Sequence, residues 1–113
     1  MAELNYIHGL ETMREWGNHP ITYQMGNIGS EVHRALKWTE KGDTKRANTA
    51  IDRALELFDF TIVANLENHG RLREVLIARE EFCDYFFGGN LWQTDPVKMQ
   101  KYYDGFVMME QLR

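Results

Sequence analysis

The fold is decided by one stretch of the sequence, residues 43–64, which reads DTKRANTAIDRALELFDFTIVA. Apolar residues recur in it at intervals of three and four, which is the pattern of an amphipathic helix. The residues of this stripe are Ala47, Ala50, Ile51, Ala54, Leu55, Phe58 and Ile62. Asp43 stands where an N-cap is expected, because its carboxylate can accept a hydrogen bond from a free amide of the first turn. The stretch therefore predicts a helix from about Thr44 to Ala64.

Other apolar residues lie outside this stripe and bear on the oligomeric state. Leu57 and Phe60 fall on other faces of the helix, since each residue advances it by about 100°. A helix that is apolar on more than one side is typical of a central position or of a covered partner surface. Together with Trp16, Trp38 and Tyr85, we expect these side chains to exceed the room in one four-helix core. The sequence therefore predicts a homodimer that buries the surplus symmetrically.

Breaks in the remaining sequence divide it into three more helices of similar length. Their ranges are about Ile21 to Lys41, about Gly70 to Phe87, and a last helix that begins at Asp95-Pro96. Asp95 fits an N-cap, and Pro96 fits the first helical position, where the missing amide proton has no partner to lose. Gly42 stands where the helix before it needs a left-handed C-terminal cap.

Four comparable helices joined by short loops are typical of an antiparallel four-helix bundle, and no segment alternates as a strand does. We therefore expect an all-α fold in one domain, residues 1–113, with the bundle in residues 21–113. Residues 1–20 are predicted to form an N-terminal arm or a short extra helix, since an apolar residue recurs there every three positions. Those residues are Leu4, Ile7, Leu10, Met13 and Trp16.

Two features of the predicted bundle concern packing. Gly26 and Gly29 either weaken the first turns of their helix, by up to about 1 kcal/mol each relative to Ala, or let a neighbouring helix approach closely. Leu91 and Trp92 belong to the loop before Asp95. We expect their side chains to fold back over one end of the bundle rather than stand in water.

Charge and composition argue against several classes of function. The formal net charge of −4 disfavours broad, sequence-independent binding to nucleic acid or to an anionic membrane. The single cysteine, Cys83, permits no intramolecular disulfide and favours a reducing compartment, and its place on an apolar stripe predicts a small buried side chain. The sequence has no basic and apolar leader and no apolar run of about 20 residues, so we expect a cytoplasmic protein without membrane contact.

Arg79 is the most informative single residue, because it falls in the middle of the apolar stripe predicted for residues 70–87. The residues of that inner stripe are Leu72, Val75, Leu76, Phe82, Cys83, Phe86 and Phe87. An unpaired buried guanidinium is very costly, so a partner is required. Asp52, Glu56 and Asp59 of the preceding helix offer carboxylates. Three interpretations remain open: a partly buried salt bridge that fixes the helix register, an anion or phosphate site in a pocket, and an exposed Arg79 whose charged head reaches water.

The same three carboxylates share one side of their helix, through spacings of four and three. Such spacing, joined by histidines on neighbouring helices, builds dinuclear metal sites in helical bundles. No Glu-x-x-His is present and the 4 histidines are dispersed, so we expect no metal and no cofactor. The simpler interpretation is a solvated acidic face with Arg46 or Arg53 nearby.

Basic and aromatic side chains share the outer face of the first predicted bundle helix, namely Arg34, Lys37, Trp38 and Lys41, and Lys45 and Arg46 follow after the turn. Stacking on Trp38 together with phosphate contacts is the physical basis for binding RNA, and an acidic protein surface is the other anionic partner that fits. A charged outer face is also the ordinary state of a bundle helix, and Trp38 equally suits packing against the N-terminal arm or a second subunit.

The run RALKWTEKGD, Arg34 to Asp43, is followed by a helix that carries Ala47, Ala50 and Ala54, and it resembles the paired helices of HEPN-type bundles. The resemblance implies a helical bundle that binds nucleotides or partner proteins, or a ribonuclease. Ribonucleases of that family carry an Arg and a His, separated by four to six residues, near the last helix. The match in this sequence is Arg14 to His19, near the N-terminus.

Three functions are therefore expected as alternatives. The first is a non-enzymatic interaction or scaffolding module that acts as a homodimer. The second is a nucleic-acid or nucleotide-binding accessory protein that uses the face formed by Arg34, Lys37, Trp38 and Lys41. The third is a nuclease in which Arg14 and His19 reach one phosphate. Serine hydrolase chemistry is disfavoured, because Ser30 is the sole serine.

Overall fold

The computed structural model describes residues 9–113, with side chains from Glu11 onward. These residues form five helices and no strand: α1 (Gly9–Trp16), α2 (Ile21–Glu40), α3 (Thr44–Ala64), α4 (His69–Phe86) and α5 (Pro96–Gln111). The predicted all-α class is confirmed, and α1 is a short helix ahead of the four longer ones. Leu4 and Ile7, which opened the N-terminal apolar repeat, lie outside the described residues.

Local capping fixes where the longer helices begin and end. The carboxylates of Asp43 and Asp95 accept hydrogen bonds from first-turn amides, at 3.0 and 2.9 Å, as predicted. Asn68 caps α4 in the same way, through the amide of Arg71 at 3.1 Å, so α4 begins one residue earlier than Gly70. Gly42 has a φ of +74°, the left-handed conformation expected after the end of α2.

Helix α2 packs along α3 on one side and along α5 on the other. The α5 contact is close because two glycines of α2, Gly26 and Gly29, face α5. A Cβ added at Gly29 would overlap the Cβ of Tyr103. Thr22, in the first turn of α2, donates a hydrogen bond to Glu110 near the end of α5, so the two helices run in opposite directions. The glycines therefore serve close helix packing, the second of the two predicted roles.

Helix α3 is covered by α2, α4 and α1, and it supplies much of the core. Leu57 and Phe60 are buried within the chain, and so is Trp16 of α1. Three of the five residues expected to exceed one four-helix core are therefore accommodated within the chain, because α1 and α4 cover the faces of α3 that α2 leaves open. Trp38 and Tyr85, the other two residues of that expected surplus, are half-buried.

A buried polar network fastens the end of α1 to α2 and α3. The indole N–H of Trp16 donates to the hydroxyl of Thr61 at 2.8 Å. The amide of Gln24 donates to the carbonyl oxygens of Trp16 and His19, at 3.2 and 2.9 Å. Its oxygen accepts a hydrogen bond from Asn65 at 3.0 Å. Because buried polar groups are costly unless they are paired, this network specifies one position for α1.

Helix α4 rests on α3 and reaches α5 through long side chains. The ring of Phe82 packs on Phe58, with 5.5 Å between the centroids, and the hydroxyl of Tyr102 in α5 donates to Glu74 at 2.7 Å. The residues of α4 that are buried are Val75, Ala78 and Phe82. Leu76 and Phe87, which were predicted on the inner side, are exposed. The prediction was wrong there because two apolar stripes run along α4, and the one through Val75 faces α3.

Two smaller predictions of burial are also wrong. The spacing of Met99, Tyr102, Tyr103, Phe106 and Met109 predicts the inner stripe of the last helix. Met99 and Tyr103 are buried as this predicts, whereas Met109 is exposed. Cys83 was expected to be a small buried side chain and is only half-buried. Phe82 is the residue of this turn that enters the core, and Cys83, one position later, lies on the flank of that stripe and packs against it.

The loop between α4 and α5 holds two large apolar side chains outward. Leu91 is 82% exposed and Trp92 is 51% exposed, so the prediction that they fold back over the bundle is wrong. The carboxylate of Asp84 accepts hydrogen bonds from both of their backbone amides, at 2.9 and 3.0 Å. Asn90 exchanges further hydrogen bonds with the backbone of Thr94. These contacts fix the loop in a form that leaves the two side chains in water.

Candidate functional site

Arg79 is paired with Asp59, but loosely. Its Nε lies 3.6 Å from Asp59 Oδ1, which is too long for a hydrogen bond, and the two side chains are 37% and 42% exposed. Burial raises the pKa of Asp59 more than the Arg79 charge lowers it, and the neighbouring charge of Glu56 raises it further. The geometry is that of a half-exposed ion pair between α3 and α4 rather than an enclosed anion pocket.

The carboxylates grouped with Arg79 in the sequence separate in the structure. Asp52 is exposed, Asp59 is half-buried, and Glu56 is buried. The predicted solvated acidic face is therefore wrong for Glu56, because α1, α2 and α4 together cover most of the circumference of α3. Within residues 9–113 there is no group of three or more His, Cys, Asp or Glu residues that could hold a metal ion.

The basic and aromatic residues at the α2–α3 turn come together around one indole. Three cations lie over the ring of Trp38: the Nζ atoms of Lys37 and Lys41, at 5.0 and 5.5 Å from its centroid, and the Cζ of Arg46, at 4.6 Å. We call these four residues the Trp38 cluster. Arg34, predicted on the same face, instead binds Glu31 at 2.6 Å. The sequence did not predict that Arg46, from the next helix, contacts this ring.

Helix α4 exposes an apolar pair, Leu76 and Ile77, with charged residues on both sides of it along the helix. We call the surface around this pair the outer face of α4, and its residues are His69, Leu72, Arg73, Leu76, Ile77 and Glu80. Leu76 is 41% exposed and Ile77 is 49% exposed. The outer face borders a groove of about 360 Å³. A second groove, of about 340 Å³, lies on the other side of Ile77 and is closed by Tyr102 of α5.

Two opposite charges lie at equal sequence distances on either side of the exposed pair Leu76 and Ile77. Arg73 precedes Leu76 by three positions, and Glu80 follows Ile77 by three positions. Neither charge takes part in an ion pair within the part of the chain that the structure describes. The sequence did not predict this face, because Leu76 was assigned to the core. The sequence does contain the signal, which is the symmetric order of Arg73, Leu76, Ile77 and Glu80.

Arg14 and His19, the match to the ribonuclease motif, are both exposed. The His19 ring stacks on Tyr23, with 3.9 Å between the centroids. Compared with known proteins, the chain matches no family model, no curated protein and no solved structure. No helix within residues 9–113 combines the length and the apolar character that crossing a bilayer requires.

Proposed function

We propose that this chain is a non-enzymatic interaction module that forms a homodimer through the outer face of α4. The observation that carries the proposal is the order of side chains on that face. An exposed apolar pair, Leu76 and Ile77, lies between Arg73 and Glu80 at equal spacing, and neither charge has an ion-pair partner among the described residues. Such an order is complementary to a second copy of itself.

A two-fold axis between Leu76 and Ile77 satisfies this complementarity. Around that axis the two α4 helices run in opposite directions, as in isologous dimers, where the same patch serves both copies. Leu76 of each copy then meets Ile77 of the other. Arg73 of each copy lies opposite Glu80 of the other, so both charge pairs form at the rim of an apolar centre.

The shape of the α4 surface is also compatible with this pairing. Ile77 stands as a ridge between the two grooves that border α4, and helices pack by placing such ridges into grooves. A stable interface buries more than about 1,000 Å² in total. The groove between Ile77 and Tyr102 brings α5 to the edge of this contact, so the surface available for the interface includes more than α4.

Three finer features belong to the same proposal. The contacts that join α5 to α2, α2 to α3 and α3 to α4 support an antiparallel four-helix arrangement. The likeness of residues 34–54 to HEPN-type bundles is supported by the α2–α3 pair, and that family includes bundles that bind partner proteins. A cytoplasmic setting is supported by the single cysteine, Cys83, since extracellular domains of this size often rely on disulfides.

Sedimentation velocity over a concentration series tests the proposal. We expect a dimer for the unchanged chain and a monomer of the same helicity for Ile77→Glu, which places a charge in the centre of the contact. Met108→Glu is the matched control, because Met108 is also exposed but lies on α5. A monomer at every concentration, or an Ile77→Glu variant as dimeric as the unchanged chain, would contradict the proposal.

A further inference from the structure

A second surface, the Trp38 cluster, shares no residue with the outer face of α4 and carries a different kind of binding group. Its three cations lie within 5.5 Å of one ring centroid. Each cation is attracted to the indole ring of Trp38, and this attraction gathers three positive charges at one turn. An anion bound at this turn would interact favourably with these charges, since exposed charges act on one another over about 8 Å at physiological ionic strength.

The carboxylates near this turn do not equal its positive charge: Glu40 is exposed between Lys37 and Lys41 in the sequence, and two others are already engaged. Asp43 lies 3.7 Å from the Nε of Arg46, and it is also occupied as the cap of α3. Glu31 is taken by Arg34 on an earlier turn of α2. Lys45, exposed in the first turn of α3, adds a further cation beside the cluster. The chain as a whole carries a net charge of −4, so this turn is a local basic patch on an acidic protein.

We propose that the Trp38 cluster binds the phosphates of a single-stranded nucleic acid. The cations come from two helices and meet at a turn, which is a compact site rather than a long basic face. Lys37 and Lys41 lie one helical turn apart, so they can contact successive phosphates. The guanidinium of Arg46 lies over the Trp38 ring and its side chain is 64% exposed, so it offers a planar surface on which an unpaired base can stack. A duplex does not expose such a base.

Single strands are favoured over duplex and over acidic protein for physical reasons. The turn presents no helix or β-ribbon of the kind that enters the major groove. An acidic peptide would satisfy the cations but would make no use of the planar face of the Arg46 guanidinium. The acidic remainder of the chain repels a polyanion, so contacts are confined to three or four cations. Since each phosphate contributes a slope of about −0.7 in log K against log salt, we expect a total slope of about −2 to −3.

Fluorescence anisotropy with a labelled 12-nucleotide oligouridylate, measured from low to moderate salt, tests the proposal. We expect binding at low salt and at least a tenfold loss of affinity for the double variant K37E/K41E. The matched control is K98E/K101E, which makes the same change in net charge at two exposed lysines of α5. That control should bind within about twofold of the unchanged chain, and the dimer expected of the unchanged chain should persist in both variants.

Three outcomes would overturn the proposal. The first is no binding at low salt, where electrostatic contacts are strongest. The second is an equal loss for K37E/K41E and K98E/K101E, which would show attraction by overall charge alone. The third is competition by an oligoglutamate that displaces the oligouridylate, binds with equal affinity and is weakened equally by K37E/K41E. That result would assign the cluster to an acidic protein. Sedimentation of the same samples reports separately on the dimer, so the two proposals fail independently.

Discussion

Tyr103 of α5 lies against Gly29 of α2 so closely that no side chain fits between the two backbones. The ring of Tyr103 is fully buried at this crossing. The contact allows α2 and α5 to approach closely, and it directs Tyr103 of α5 into the core.

Replacing Gly29 with Ala is therefore expected to destabilise the fold. Its methyl group would overlap Tyr103, and overpacking of this kind costs about 1–3 kcal/mol. Denaturant unfolding followed by circular dichroism measures the change. Gly105→Ala is the control, because a Cβ there meets no atom within 4 Å. That control should gain up to about 1 kcal/mol from helix propensity, and a loss as large as that of Gly29→Ala would contradict the packing role.

The hydrogen bond between Trp16 and Thr61 is expected to hold α1 in place. Thr61→Val keeps the shape of the side chain but leaves the buried indole N–H without its acceptor, which costs about 1–3 kcal/mol. Thr61→Ser retains the hydroxyl and should be affected less. Unfolding monitored by tryptophan fluorescence reports the difference, and equal stability of the two variants would show that the hydrogen bond contributes little.

Asp84 is expected to hold the α4–α5 loop in its outward form. One of its carboxylate oxygens accepts a hydrogen bond from the backbone amide of Leu91, and the other accepts one from Trp92, so Asp84→Ala removes both. Hydrogen exchange at these two amides should accelerate at least tenfold, since hydrogen bonds to charged groups contribute about 1.5–3 kcal/mol. Helicity should not change. Unaltered exchange at Leu91 and Trp92 would mean that other contacts hold the loop.

The raised pKa of Asp59 is expected to make the stability of the fold depend on pH. Burial raises the pKa of Asp59 above its ordinary 3.8, and the Arg79 charge only partly offsets this. The folded chain therefore binds that proton more tightly than the unfolded chain. The resulting stabilisation is complete below the unfolded pKa and is lost as pH rises through the folded pKa.

The Asp59→Asn variant stays neutral and should not undergo that loss. Its stability relative to the unchanged chain is therefore expected to increase between pH 3.5 and pH 7, in about the range where an aspartate titrates. Denaturant unfolding at several pH values measures this. Asp52→Asn, at an exposed position of the same helix, is the control for removing a charge. A stability difference that moves in favour of the unchanged chain as pH rises would contradict the assignment.

The parts of the fold that depend on neighbouring residues were predictable from the sequence. The bounds of α3 follow from its apolar period and from the cap at Asp43, both of which act within a few residues. The role of Gly29 could not be decided from the sequence, because a glycine within a helix is destabilising unless a close neighbour requires the space. The structure identifies that neighbour as Tyr103. The outward loop was also unpredictable, since Asp84 lies seven and eight residues before the amides that it binds.

The candidate sites show the same division. Spacing along one helix predicted that Lys37, Trp38 and Lys41 share a face. Arg46 joins them only because the α2–α3 turn brings the next helix back to the same ring. On α4 the periodicity allows two apolar stripes, and only the packing against α3 decides that Leu76 is exposed.

The pairing of two α4 helices is tested most directly by reversing its charges in separate chains. The R73E chain is acidic at both positions 73 and 80, and the E80R chain is basic at both. Each variant alone therefore places like charges opposite each other across the two-fold axis. Like charges across an interface cost several kcal/mol, so each variant should dimerise at least tenfold more weakly than the unchanged chain. Mixed in equal amounts, the two variants should form a heterodimer that sedimentation equilibrium detects. Two variants that each dimerise like the unchanged chain, or a mixture that associates no better than its components, would contradict the assignment of α4 as the dimer interface.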